Sequence, residues 1–234
     1  MLMTAVFIPL IAALASITPP VQLASQTSPV PSPMPSIVAA PTPFASPMHF
    51  DALVSAGHEG RPASCAHFKH KCNLGAAGER QWTPVVADEV ARDLRAKGFT
   101  VAREPADFDG TFDVKAAVFI HFDGSGTPCS TGASIGYHDP GSVPAARAWR
   151  ALYSHYFPYH FMTDNFTTNL SNYYGFRQVH ASAGALVIEL GEVTCPSERA
   201  WLASRLKWEG DLIAQFIEDL IANPPKGAAN DQRR

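Results

Sequence analysis

Apolar and polar positions alternate in two different rhythms along this chain. Phe50 to Ala56 is a short apolar run closed by Gly57, which suits a strand. From Trp82 the spacing changes: Trp82, Val85, Val86, Val90 and Leu94 fall on one face, predicting an amphipathic helix that stops before Gly98. Its start is open, because either Thr83 and Pro84 are its N-cap and first helical residue, or the first turn begins at Glu79 and tolerates Pro84. Either way Glu79 stands at the helix entrance. Phe99 to Ala102 reads as a strand, Ala116 to Phe122 as a buried strand, and, after an irregular middle, Ala185 to Leu190 as another. Pro196 to Ala222 carries Leu202, Leu206, Ile213, Phe216, Ile217, Leu220 and Ile221 at helical spacing, interrupted by Glu209, Asp211, Glu218 and Asp219, which marks a core-facing helix and not a membrane span. Alternating strands and helices predict one α/β domain with a mostly parallel sheet.

Composition divides the chain before that domain begins. No Asp, Glu, Lys or Arg precedes Asp51. Met1 to Ile17 is an apolar run followed by small residues, with Ala13-Leu14-Ala15 and Gln22-Leu23-Ala24 as processing sites, so residues 1–24 read as a signal peptide or an uncleaved membrane anchor. Nine of the 20 prolines lie between Pro19 and Pro47 among Ser, Thr and Ala, which makes residues 25–48 an extended linker. Residues 49–223 form the globular domain, and 224–234 are expected to be a disordered tail. A net charge of −3 without a basic run excludes a general nucleic-acid surface. The four cysteines, Cys65, Cys72, Cys129 and Cys195, are an even set that an exported protein can pair in three ways.

In parallel sheets functional groups gather beyond the carboxyl ends of the strands, and three candidates fall there. His58 follows the first strand, His121 closes the third, and Glu189 lies near the end of the last. With Glu79 they make two imidazoles and two carboxylates. Two His and one Glu leave an open fourth position on Zn²⁺ for water, the pattern of a catalytic site. Zinc lowers the pKa of its water to roughly 7, and the remaining carboxylate can take the proton. Other patterns fail: His58-Glu59 opens an H-E-x-x-H motif that Gly60 and Pro62 break, and the His and Cys of Cys65 to Cys72 are too tightly spaced for a zinc knuckle.

Four stretches, in order, resemble the zinc-dependent N-acetylmuramoyl-L-alanine amidases of bacterial cell-wall turnover, of the type-3 catalytic domain. They are Ser55-Ala-Gly-His58-Glu-Gly60; Gly78-Glu79, nineteen residues ahead of Gly98-Phe-Thr-Val101; Val118-Phe-Ile-His121; and Ala185-Leu-Val-Ile-Glu-Leu-Gly191. The resemblance spans about residues 50 to 125 and 183 to 220. It implies a six-stranded sheet flanked by helices, His58, Glu79 and His121 as zinc ligands, Glu189 as catalytic acid/base, and cleavage of the amide between N-acetylmuramic acid and L-alanine. The chain departs from the family at Ser55-Ala56, where Asp-Pro is usual. It departs again at Asp123, where Asn is usual, and at Gly191-Glu-Val-Thr-Cys-Pro196, where Gly-Phe-Leu-Ser-Asn-Pro is usual. These departures concern substrate contacts, not the metal. Set on that fold, Cys129 follows the His121 strand and Cys195 the Glu189 strand, so Cys129 with Cys195 would tie the two loops flanking the site, leaving Cys65 with Cys72.

All six tyrosines crowd into residues 137 to 176 with Trp149, Phe157, Phe161, Phe166 and Phe176; packing is the favoured role and a ligand groove the alternative. Arg177 is a candidate for gripping a stem-peptide carboxylate through paired donors. The expected protein is therefore an exported, periplasmic or extracellular monomer acting on peptidoglycan or muropeptides, without stable membrane insertion unless the leader stays uncleaved. Two alternatives remain: an exported zinc peptidase or amidase for another amide, and a wall-binding module without turnover.

Overall fold

The computed structural model describes residues 46–67 and 73–224; the leader, most of the linker, Cys72 and the C-terminal tail lie outside the described residues. Six strands form one sheet: β1 (Met48–His49), β2 (Ala52–Ala56), β3 (Val101–Glu104), β4 (Phe112–Asp123), β5 (Ser134–Gly136) and β6 (Val179–Glu192). Their order is β3-β2-β4-β6-β5, with β1 pairing the start of β4. Every pairing is parallel except that of β5 with β6. The result is an α/β domain with a mostly parallel, six-stranded sheet flanked by helices. The helices are α1 (Glu79–Ala96), α2 (Val143–Ser154), the single turn α3 (Thr168–Ser171), α4 (Pro196–Ala203) and α5 (Leu206–Ala222).

Side chains alternate across a strand, so parity decides which core each joins. Ala52, Val54 and Ala56 of β2, Val118, Ile120 and Phe122 of β4, and Leu186, Ile188 and Leu190 of β6 enter a large cluster with α1, α2, α4 and α5. Leu53, Ala117, Phe119 and Val187 point the other way, into a smaller cluster closed by Leu170 and the aromatic residues Phe166, Tyr173, Tyr174 and Phe176. His121 and Glu189 continue the second series, two residues beyond Phe119 and Val187. They are Cα partners in the β4–β6 ladder. The alternation that fills the smaller core therefore delivers both side chains to one face at the carboxyl edge of the sheet.

Several boundaries differ from the sequence expectation. The first strand is interrupted at Phe50 and Asp51, where the Asp51 carbonyl accepts from both Lys115 and Ala116 N–H groups. Helix α1 begins at Glu79 and accommodates Pro84; its inward face is Thr83, Val86, Ala87, Val90, Ala91 and Leu94, while Val85 is 39% exposed. Thr83 belongs on that face because its hydroxyl donates to the Gly57 carbonyl at 2.6 Å, satisfying the end of β2. The last helix is two: the chain turns at Ser204 and Arg205, so that α4 packs on β6 while α5 lies along α1. The irregular middle contains α2, whose Trp149 and Tyr153 are fully buried and stacked at 4.9 Å, with Phe216 against Trp149. Packing thus accounts for the first half of the aromatic segment.

Glu209 does not interrupt the apolar face of α5 but is buried within it. Burial raises its pKa to about 8, outweighing the Tyr153 hydroxyl beside it. Tyr153 has one proton and lies 2.7 Å from the Leu190 carbonyl and 3.0 Å from Glu209 Oε1, so a protonated Glu209 donating to Tyr153, which donates to Leu190, pairs Oε1, the phenol and the carbonyl, while Oε2 has no partner among the described residues. Between the ordinary value of 4.5 and about 8, folded Glu209 keeps a proton that the unfolded chain has released, so stability falls as pH rises through this window. Glu209→Gln should remove that slope and stabilise the protein at neutral pH by up to about 3 kcal/mol. Urea unfolding at pH 5 and pH 8 measures it; the same pH slope in variant and parent would contradict the assignment.

Candidate active site

Three chain segments bring the predicted ligands together. His58 leaves β2 in a tight turn with φ of 61°, a left-handed conformation that swings its ring back over the sheet edge. Glu79 is the first residue of α1, where the helix dipole favours a carboxylate. His121 comes from β4 by the parity described above. His58 Nε2 lies 3.2 Å and His121 Nδ1 3.0 Å from the same oxygen, Glu79 Oε1. One ligand atom from each of the three residues lies within 4.8 Å of the others, and all three residues are buried.

Each member is held by further contacts. Glu79 Oε2 accepts the Ala76 N–H at 2.8 Å, and Oε1 accepts that of Phe122 at 3.2 Å. His58 Nδ1 lies 3.1 Å from the Asn73 carbonyl and 3.0 Å from Arg61 Nη1, contacts that anchor the ring with Nε2 facing Glu79. Arg61 also donates to that carbonyl and holds Asp107 with Nε and Nη2. His121 Nε2 meets the Tyr173 hydroxyl at 3.2 Å, and the tyrosine ring packs edge-on against the imidazole. Burial opposes the ionised form of Glu79, but the hydrogen bonds from His121 and His58 outweigh it and hold its pKa at about 2. Burial lowers the pKa of His121, more than Glu79 raises it. An ionised carboxylate beside a neutral imidazole is the donor form a divalent cation requires.

Glu189 is set apart from this trio. Its Oε2 is buried without a hydrogen-bond partner among the described residues. Burial, with the charges of Glu79 and Asp123 added, pushes its pKa well above the ordinary carboxylate value. The site as built resists its ionisation; a divalent cation held by His58, Glu79 and His121 would offset the nearby negative charge and favour the ionised, proton-accepting form.

His58, Glu79, His121 and Glu189 all line one cavity of about 860 Å³. Its walls include Asp123, Ser125 and Thr194 at one end and Arg61, Asn73, Tyr173 and Tyr174 elsewhere. Phe166, Asn169 and Asn172 add an aromatic and two amide groups. The aromatic segment therefore divides in function: its first half fills the core, and its second half forms a cavity wall. Arg177, expected to grip a carboxylate, is exposed on the 3-10 turn Tyr174–Arg177 and does not line this cavity. The cavity's arginine is Arg61. Nothing in the spacing of Arg61, Asn73 or Tyr173 selects them in the sequence, because each is placed by a loop.

A disulfide joins Cys129 to Cys195, tying the loop after β4 to the loop after β6. Glu192 reinforces the link, accepting the N–H groups of Cys129 at 2.9 Å and Thr131 at 2.7 Å. No described cysteine is free; the proposed partner of Cys65, Cys72, lies outside the described residues.

No family model matches this chain, and a search of curated proteins finds no relative. Solved structures do share its fold. An N-acetylmuramoyl-L-alanine amidase from Clostridium difficile 630 superposes with a TM-score of 0.54 at 16% identity, covering 76% of this chain and 99% of its own. An N-acetylmuramyl-L-alanine amidase from Mycobacterium smegmatis gives 0.54 at 16% identity, covering 75% and 97%. One from Nostoc punctiforme gives 0.51 at 15%, covering 74% and 97%. The chain has the fold of these amidase structures over nearly their whole length.

Proposed function

We propose that this protein is an exported zinc-dependent N-acetylmuramoyl-L-alanine amidase that hydrolyses the amide between the lactyl group of N-acetylmuramic acid and L-alanine in peptidoglycan. The observation that carries the reading is the convergence of His58 and His121 on one oxygen of Glu79, with Glu189 beside them in the same cavity. The fold shared with amidase structures supports the substrate class. A disulfide between the two loops flanking the site favours an oxidising compartment, in keeping with a leader at residues 1–24. Among the described residues no helix is long and apolar enough to cross a membrane.

His58, Glu79 and His121 would hold the zinc. When bound there, zinc supplies Lewis acidity toward the scissile carbonyl and makes a water acidic enough to lose a proton near neutral pH. Glu189 accepts that proton and delivers it to the leaving nitrogen as the C–N bond breaks, leaving a lactyl carboxyl on the glycan and an amino end on L-alanine. Asn73 fixes His58, and Tyr173 fixes the ring of His121. Phe166, Asn169 and Asn172, in the wall of the same cavity, would contact the substrate.

The direct test is peptidoglycan digestion with and without a chelator, followed by identification of the new ends. Lactyl carboxyl and L-alanyl amino ends, lost on chelation, are expected. New ends elsewhere would mean another amide substrate, a reading favoured by the position of Asp123 and Thr194 in the cavity wall; binding without products would mean a wall-binding module. Tyr173→Phe keeps the ring but removes the hydroxyl that meets His121, and should weaken zinc affinity about 10-fold. Competition against a chromophoric chelator measures this, and unchanged affinity would remove Tyr173 from the site.

A further inference from the structure

We infer that Asp123 is the specificity-determining acceptor for the leaving nitrogen, taking an N–H of the amine that cleavage sets free. This rests on the amidase reading above and adds a residue to it. Strands β4 and β6 run in register from Ala116 and Gly184 to His121 and Glu189, then shift before Asp123 pairs with Glu192. Such an irregularity re-aims a side chain, and here it leaves Asp123 on the cavity wall with Glu189. Asp123 Oδ1 accepts the Gly124 N–H at 2.8 Å, while Oδ2 is buried and, like Glu189 Oε2, has no partner among the described residues.

Among the described residues, the donors of Ser125 and Thr194 are already committed. The Ser125 N–H is given to Thr194 Oγ1, the Ser125 hydroxyl lies against the Thr127 carbonyl, and the Thr194 hydroxyl is given to Glu192. Arg61, the guanidinium among the described lining residues, is engaged by Asp107, the Asn73 carbonyl and His58 Nδ1. Among the described residues no donor pairs with Asp123 Oδ2, and an acceptor left so is unfavourable unless a ligand supplies one. A ligand that pairs this oxygen must be a donor, and the amine released beside Glu189 bears several N–H groups. An Asn here would offer both a donor and an acceptor; an Asp offers acceptors only, which selects the nitrogen side of the cleaved bond over any carbonyl.

The test uses the zinc-loaded protein and three peptides: one with a free L-alanyl amino end, its N-acetylated form, and an N-acetylated form carrying a lysine side chain. The parent should bind the first about tenfold more tightly than the other two by calorimetry. Asp123→Asn, which keeps the contact to Gly124, should lose that preference while binding the acetylated peptide as before, and Asp123→Ala should do the same. Equal binding of all three peptides by the parent, or a preference that survives both substitutions, overturns the role. Tight binding of the lysine peptide would also overturn it, since the site would then read a side-chain amine. Hydrolysis of a muramyl peptide by the parent is measured separately. A parent that cleaves without the preference refutes only Asp123; one that prefers the free amine without cleaving supports the amine site and refutes the amidase reading.

Discussion

Glu189→Gln should leave zinc content unchanged while turnover of muramyl peptides falls by about 10²- to 10⁴-fold, the usual contribution of a general acid/base. The substitution preserves shape and removes only the capacity to accept and return a proton. Folding should not suffer. Burial already holds Glu189 toward its neutral form, so an uncharged amide replaces a group whose ionisation the site resists. The melting temperature of the variant should equal or exceed that of the parent, which separates a chemical defect from a structural one. Metal analysis, thermal melting and product identification by mass on the same preparations give the three readouts. Turnover within a few fold of the parent would transfer the proton-handling role elsewhere, with Asp123, on the same cavity wall, as the next candidate.

How much of this was legible in the sequence follows from what each feature depends on. The strands that carry His121 and Glu189 could be read because their burial on both faces produces continuous apolar runs, and strand parity then places the side chains. The helix entrance at Glu79 was legible as one of two alternatives, and the Thr83 hydroxyl's bond to Gly57 shows why the earlier start wins: Thr83 is an inward-facing helical residue, not a cap. Helix α2 was missed because its inward face is built from Ala145, Ala146, Trp149 and Tyr153, a mixture of small and aromatic residues with little aliphatic periodicity. The break between α4 and α5 has no Gly or Pro to announce it; packing on two different partners imposes it. The same limit explains the cavity. Arg61, Asn73 and Tyr173 reach the site from loops whose course is set by tertiary contacts, and Arg177 was selected for its paired donors, without information about which way its turn faces.

Gly57→Ala should abolish activity nearly as completely as removing a metal ligand, although Gly57 offers no side chain to the reaction. Gly57 shares strand parity with Leu53, so a Cβ placed there points at the face occupied by His121. It would lie 2.4 Å from Cε1, 2.5 Å from Nδ1 and 2.6 Å from Nε2 of that ring, all far inside van der Waals contact. The backbone itself does not forbid alanine, since Gly57 is not among the left-handed residues, so the effect is steric and local. The imidazole has no easy retreat: Glu79 holds Nδ1, Tyr173 holds Nε2, and Phe119 packs beneath Tyr173. Displacing a reacting or ligating group by about 1 Å costs on the order of 10²-fold in rate, and the loss should be larger where the displaced group is also a metal ligand. The expected result is a folded protein with reduced zinc content and turnover down by at least about 10²-fold. Gly126→Ala is the control, because nothing lies within 4 Å of its Cβ position and it lies outside the cavity wall. Full zinc occupancy and parental turnover in Gly57→Ala would mean that the His121 ring can leave this position without consequence, and the assignment of His121 as a ligand would fall with it.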